Sequence, residues 1–473
     1  MGKSIDKKIK ASAFYLIGNL FDKAIAFITV PIFTRILSTK EYGILNTYTS
    51  WVSIFAIVVG LSLGQTLRSA YYDKKERLDS YLSSIYTLSL IDFGITTLVV
   101  MIVSIFFDFQ ITRYMLFLCL VQSFMQFVRD TFAMKLMMKM DYVKRTLILA
   151  LPNIAVAILS VILILNMNSE RYMGRIYAYV IIYALIGTIC LINQYKRGRT
   201  VVNIEDWKYG LSLSIPLILH SVSCVVLSNS DRIMITKFVG AEETGIYSLI
   251  YNMSLMITVI TSSLENVWIP WFSEKLNNGD KSSINRAVGP YIFCSAILIS
   301  AVMFVSPEII QILAPKEYWS GKTFIPPLMI SVFVTFLYTI STNLEYYKKS
   351  TKTIAKNTAI AAISNLILNL IFIPRYGAIA AAYTTLVSYI ISFLMHYKDG
   401  KKLDSDLFPV NKYILPSIII MLAWLTYYMT LQIWIARWIL AFACMVFMLF
   451  YLQKNGYLPF EIIKHKFGRR KEK

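Results

Sequence analysis

Long, unbroken runs of apolar residues alternate with short polar segments along the whole chain. A run of about 20 apolar residues can cross the hydrocarbon core of a bilayer as an α-helix. Fourteen such runs occur, at residues 12–34, 44–67, 82–107, 114–134, 146–166, 172–193, 209–235, 246–269, 288–313, 324–347, 354–373, 378–397, 413–431 and 433–452. They are long and continuously apolar, whereas barrel strands are alternating segments of about ten residues, so helices are expected. The fold class that follows is all-α, a polytopic membrane protein with about fourteen transmembrane helices. Lys3, Lys7, Lys8 and Lys10 before the first run imitate a secretory signal. That run extends to about Ile36 without a clean cleavage site, so a retained first helix is expected.

Composition agrees with lipid as the solvent. The 473 residues are 57% hydrophobic and only 16% charged, where a soluble chain is about a quarter charged. One soluble core of this size would exceed the limit at which single cores stop growing. The net charge of +20 raises nucleic acid as a partner. The bases instead sit in short clusters between apolar runs, the pattern of the positive-inside rule, and no nucleic-acid partner is expected.

With a cytoplasmic N-terminus, 34 of the 47 lysines and arginines fall in cytoplasmic segments and 11 in external loops. Lys23 and Arg129 lie within the membrane. Both termini are therefore expected in the cytoplasm, with the tail Lys464, Lys466, Arg469, Arg470, Lys471 and Lys473 against anionic lipid. The five cysteines lie in apolar stretches without a CxxC spacing. Neither a disulfide framework nor a zinc site is indicated, and buried thiols acting as small hydrophobes are expected.

The chain also repeats itself. Thr34-Arg35-Ile36-Leu37-Ser38-Thr39-Lys40-Glu41-Tyr42-Gly43-Ile44 matches Thr236-Lys237-Phe238-Val239-Gly240-Ala241-Glu242-Glu243-Thr244-Gly245-Ile246 in its threonine, base, aliphatic, glutamate, glycine and isoleucine, at an offset of 202. Gly174, Ile176 and Ala178 echo Gly377, Ile379 and Ala381 at an offset of 203. Six helices per repeat is an even number, so the two halves begin on the same side and are related by an axis along the membrane normal. This predicts two like-oriented six-helix lobes, residues 1–200 and 201–400, followed by residues 401–473 with helices thirteen and fourteen and a basic tail. The last two helices carry no interior charge and are read as a lipid-facing addition.

On three features the chain resembles the Wzx-type polysaccharide flippases of the multidrug/oligosaccharidyl-lipid/polysaccharide (MOP) exporter superfamily, whose lobes are MATE-like. They are the segment Thr34 to Ile44, the pair Asp231-Arg232, and the run Ile373-Pro374-Arg375-Tyr376-Gly377-Ala378-Ile379-Ala380-Ala381-Ala382. The resemblance implies a bacterial inner-membrane protein with a bilobed cavity. The cavity would take the headgroup of an undecaprenyl-diphosphate-linked oligosaccharide while the polyprenyl tail stays among membrane lipids. Polysaccharide polymerase and glycosyltransferases are the implied partners.

A charge at the bilayer centre costs about 2.5–3.5 kcal/mol, so each one is a candidate for function. Helix one carries a stripe of Ser12, Tyr15, Asn19 and Asp22, with Lys23 beside it. Helix four carries Gln122, Gln126, Arg129 and Asp130. Gln65 and Arg68 belong to helix two, with Arg68 close to the cytoplasmic mouth, while Asp92 and His220 lie near mid-depth in helices three and seven. Asn365 and Asn369 share a face of helix eleven. For each, the competing account is structural: pairing between helices, snorkelling of a long base, or hydrogen-bonded glue. Asp231-Arg232 reads as a pair ending helix seven, and Glu265, Glu308 and Glu345 as helix-end residues.

Arginine and lysine suit a diphosphate, and amides, hydroxyls and aromatic faces suit a sugar. Asp22, Asp92 and Asp130 offset the interior bases and point to a coupling cation, H+ or Na+. Gly321-Lys322-Thr323 lacks the leading glycine of a phosphate loop, since Lys316 stands there. No cofactor, metal or enzymatic activity is expected. A cation-coupled multidrug antiporter, a lipid II flippase and a membrane scaffold remain the alternatives.

Overall fold

The computed structural model describes residues 28–454, and among them every regular element is a helix. Residues 28–36 form α1, the described part of the first expected span. The remaining helices are α2 (Thr39–Val58), α3 (Leu67–Asp73), α4 (Leu78–Val103), α5 (Arg113–Met138), α6 (Tyr142–Leu165), α7 (Tyr172–Gly198) and α8 (Ile204–Phe238). They continue as α9 (Ala241–Asn277), α10 (Lys281–Leu313), α11 (Ile325–Tyr347), α12 (Thr351–Tyr376), α13 (Ala378–Leu403), α14 (Asn411–Met429) and α15 (Trp434–Lys454). Ten are long and apolar enough to cross a membrane, or twelve when two bent pairs each count as one span. Helix α5 is not among them; it carries Arg113, Arg129, Asp130 and Lys135.

Two expected spans are broken. The run 44–67 divides into α2 and α3, bent by 50° at a break where Leu61 and Ser62 adopt the left-handed conformation at φ 46° and 52°. The run 209–235 lies in α8, which bends by 41° between Ile218 and His220. Pro216, just before the bend, removes a helix N–H and crowds the preceding turn.

The sequence motif at Ser38 to Gly43 has a local structural task. Ser38 caps α2 by accepting from the Glu41 amide at 3.2 Å, and Glu41 Oε2 accepts from the Ser38 amide at 3.0 Å. This reciprocal box satisfies two donors that the first turn of a helix leaves over. Glu41 Oε1 also accepts from the Arg171 amide at 2.9 Å, tying α2 to the start of α7.

The chain divides into two compact units. Unit 1 runs through the described residues to Leu249 and includes Leu313–Tyr318 and Ala355–Thr384. Cross-chain bonds mark both of its ends. At one end Tyr209 donates to Asp73 at 2.6 Å and Ser80 to the Gly198 carbonyl at 3.0 Å. At the other, Trp51 donates to the Phe109 carbonyl at 2.8 Å and Thr34 to the Leu313 carbonyl at 2.7 Å. The repeat reappears here as a physical contact. A Cβ added to Gly43 would overlap the Ala241 carbonyl, and one added to Gly245 would overlap the Thr39 carbonyl. Residues 43 and 245, like 39 and 241, are 202 apart. The crossing is thus reciprocal, as contacts about a two-fold axis are.

Unit 2 comprises Ile250–Ile312, Trp319–Ile354 and the described residues from Thr385 onward. Its outer helices leave apolar surface open: Ile439 is 62% and Phe442 72% exposed on α15. A soluble protein would bury so large an apolar face, and lipid covers it at no such cost. Helix α15 nonetheless holds a buried charge. Arg437 pairs with Glu308 of α10 and donates to the Thr430 carbonyl at 2.9 Å, which corrects the expectation that the last two helices lack one. Of the cysteines, Cys119 and Cys190 are buried, whereas Cys224 is exposed.

Candidate functional site

Helix α5 packs against α2 and α7 and turns its polar stripe inward. Gln122 is buried and accepts from the Tyr48 hydroxyl at 2.8 Å, and Gln126 is half-buried one turn on. Next comes Arg129, also buried. Its Nε and Nη2 fork onto Asp130 Oδ1 at 2.9 and 2.7 Å, and its guanidinium carbon lies 4.6 Å from the centre of the Tyr183 ring on α7. Nη1 is buried without a hydrogen-bond partner. Asp130 turns outward, with 47% of its side chain exposed, so it anchors the arginine from the rim. An arginine held from one side by a carboxylate and from another by a π-face keeps its geometry and has an N–H left to donate.

A second polar cluster joins α8, α9, α12 and α13 within unit 1. Asp231 is 1% exposed; its Oδ2 accepts from the Tyr247 hydroxyl at 2.6 Å and its Oδ1 from Asn369 Nδ2 at 2.6 Å. Asn369 Nδ2 also donates to Asn365 Oδ1 at 3.0 Å, and Thr384 donates to Asn369 Oδ1. Ser230 donates to Asn365 Oδ1 at 3.1 Å. Burying a carboxylate is costly unless several donors meet it. Four helices supply this network, which places oxygens of one carboxylate, two amides and three hydroxyls together.

A family model described as "Polysaccharide biosynthesis protein" matches residues 9–275 of the chain. The chain belongs to that family. Among its relatives, the Lsg locus putative protein 1 of Haemophilus influenzae is 23% identical over 76% of this chain and 89% of its own length. The probable low-salt glycan biosynthesis flippase Agl15 of Haloferax volcanii is 19% identical over 82% of each. Among solved structures, the lipid II flippase MurJ in an inward closed conformation has a TM-score of 0.72 at 16% identity, over 94% of this chain and all of that one. An inward-facing multidrug resistance MATE family transporter of the MOP superfamily has a TM-score of 0.62 at 12% identity, over 81% of this chain and 96% of that one. The chain therefore shares the helical fold of these two transporters, as the resemblance implied.

The structure of this family member sorts the candidates. Gln122, Gln126, Arg129 and Asp130 do assemble on α5, and Asn365 and Asn369 meet Asp231, which is no helix-ending residue but the centre of its network. Gln65 and Arg68 do not share one continuous helix two: Gln65 lies in the 3-10 turn Leu63–Thr66, Arg68 in α3, and both are exposed. Asp92 is half-buried on α4, where Thr96 donates to it at 3.5 Å. His220 sits at the α8 bend with Cys224 Sγ 3.8 Å away. Asn19, Asp22 and Lys23 lie outside the described residues.

Three buried groupings escaped the sequence reading. Lys135, counted as a loop base, is 1% exposed and holds Gln194 and Asp79 at 2.6 Å each. Asp206 is fully buried between Lys74 and Arg77, the latter at 2.9 Å. Glu345, taken for a helix-end residue, is fully buried against His396. Each puts a charge next to an apolar run and an opposite charge or base at the same end of another run. That coincidence of ends was the readable signal.

Proposed function

We propose that the chain carries an undecaprenyl-diphosphate-linked oligosaccharide repeat unit from the cytoplasmic to the outer leaflet of a bacterial inner membrane, by alternating access. The observation behind this reading is Arg129, a buried guanidinium with an N–H left unfilled beside Gln122 and Gln126. A guanidinium matches the oxygens of a diphosphate, and amides and the Tyr183 face match sugar hydroxyls and ring carbons. Family membership and the naming of the Haloferax relative as a probable glycan biosynthesis flippase support the same class of cargo. In this reading residues 1–200 and 201–400 are the moving lobes, both termini are cytoplasmic, and Asn19, Asp22 and Lys23 join the stripe from helix one. Polyprenyl tails stay in the membrane lipids. Glycosyltransferases supply the cargo and a polymerase consumes it.

The network at Asp231 fits the coupling cation better than Asp92 or Asp130 does. A half-turn of the Asn369 amide exchanges its donor for an acceptor. Asp231, Asn365, Asn369 and Thr384 would then offer oxygens to a hard cation such as Na+. Deletion of the gene is expected to strand lipid-linked repeat units on the cytoplasmic leaflet. Normal surface polysaccharide after a clean deletion would overturn the reading. The likeness to MurJ supports a second cargo, lipid II; loss of viability on deletion would favour it. Heightened sensitivity to cationic dyes would instead favour an antiporter.

A further inference from the structure

Glu345, near the end of α11, and His396, in α13, have no part in the transport reading. They are 0% and 1% exposed, and His396 Nδ1 lies 2.8 Å from Glu345 Oε2. Tyr338 stacks on the imidazole with ring centres 5.5 Å apart. The outer atoms of both partners, Glu345 Oε1 and His396 Nε2, are buried without a hydrogen-bond partner.

A buried carboxylate with one hydrogen bond is poorly compensated, and leaving it ionised beside a neutral ring places a bare charge in the interior. The imidazole can cancel that charge by taking a proton from water, which moves the pair from −1 to neutral. Histidine is the side chain whose charge changes most readily near neutral pH. Two amides would tie α11 to α13 as well, with no charge to desolvate.

Ionisable groups that meet α11 and α13 near the pair include Tyr291 beside Phe336, Tyr389 stacked on Tyr338, Tyr413 against Phe393 and Tyr397, and Glu265 at Thr339, with Lys398 two residues after His396. Phenols normally stay neutral until about pH 10. Lys398 is exposed, and Glu265 hydrogen-bonds to Thr339. The pair differs from them in setting an imidazole directly against a carboxylate. It lies towards the end of unit 2 where Tyr347 meets Asn277 and where Lys281 holds Asp404 and Asp406 at 2.9 and 3.0 Å.

We propose that Glu345 and His396 form a proton-binding site that exchanges with water at that end. The site is separate from the network at Asp231. It depends on the transport reading only for what the proton drives.

The test is a 15N-histidine NMR titration of the full chain in lipid nanodiscs. The chain has three histidines, and His220→Asn and His465→Asn assign the other two signals. His396 is expected to take up a second ring proton within the titration, and its proton affinity to fall at least about tenfold in Glu345→Gln. A neutral His396 throughout about pH 5 to 8, or equal affinity in the variant, overturns the proposal. Should the variant not fold, the native spectrum decides alone. In proteoliposomes, Glu345→Gln is expected to flatten the pH dependence of transport of a polyprenyl-diphosphate-linked sugar. The NMR signature without any such transport would sink the flippase reading and leave the proton site standing.

Discussion

Each unit buries a carboxylate among its helices, and each meets it with a different kind of partner. In unit 1, Asp231 accepts from a phenol and an amide, Tyr247 and Asn369. In unit 2, Glu345 meets an imidazole, His396. A phenol and an amide hold their charge fixed across ordinary pH. Such a network answers to an arriving cation. An imidazole takes the proton itself. The two units are therefore expected to respond to different ions, a metal cation in unit 1 and a proton in unit 2.

The largest expected effect separates them directly. A ligand that binds only the folded state adds about 2.7 kcal/mol of stability at a hundredfold excess over its Kd. Added Na+ is expected to raise the Tm of the native chain and of Glu345→Gln, and to leave Asp231→Asn unmoved. A Na+ response that survives in Asp231→Asn and disappears in Glu345→Gln would reverse the assignment.

The next effect concerns the cargo. Hydrogen bonds to a charged group contribute about 1.5–3 kcal/mol. Arg129→Ala is therefore expected to reduce transport efficiency by about 10- to 150-fold, with protein abundance and both ion responses intact. Arg129→Lys keeps the charge without the fork and should fall between. Full transport in Arg129→Ala would return Arg129 to a purely structural role.

Much of this was readable from residues alone. The apolar runs match α2 to α15 in order, because run length and lipid thickness constrain each other. The offset of 202 predicted a duplication, and the Gly43–Gly245 crossing gives it a contact. What stayed hidden were partners. Nothing in the run containing Asn365 and Asn369 says that Asp231 reaches them, since side chains 138 residues apart meet only through the packing of α8 on α12. The burial of Lys135 and Glu345 stayed hidden for a related reason: both sit near helix ends, where a buried charge and a solvated one look alike in sequence. Gln65 and Arg68 were assigned to one continuous helix because the break at Leu61 and Ser62 has no proline to announce it.

The reciprocal crossing gives the third prediction. Gly43→Ala and Gly245→Ala each push a methyl into a carbonyl, an overpacking that costs about 1–3 kcal/mol. Because each glycine meets the other's helix in the same way, the two Tm losses should be alike. A loss confined to one variant would show that the two-fold relation is not matched in energy.

The smallest effect is a control on the pH response of unit 2. Asp280 and Asp406 are loop carboxylates with lowered pKa values. The Ser283 hydroxyl, then Lys275, hold Asp280 at about 2, and hydrogen bonding from Lys281 lowers Asp406. A carboxylate whose folded pKa is depressed stabilises the fold above its unfolded value, near 3.9, and loses that contribution as pH falls through the folded value. Any stabilisation from these two loops is therefore constant across neutral pH and declines only in acid. Both groups are open to water, where salt screens the pairing. Asp406→Asn is the same chemical change as Glu345→Gln, a carboxylate made into an amide, at an exposed site. It should leave the Tm between about pH 5 and 8 unchanged, while Glu345→Gln alters its pH dependence in that range. If Asp406→Asn shifted the neutral-pH profile as much as Glu345→Gln, the response of unit 2 would belong to its loops, and the contrast between a buried proton site and a buried cation site would fail.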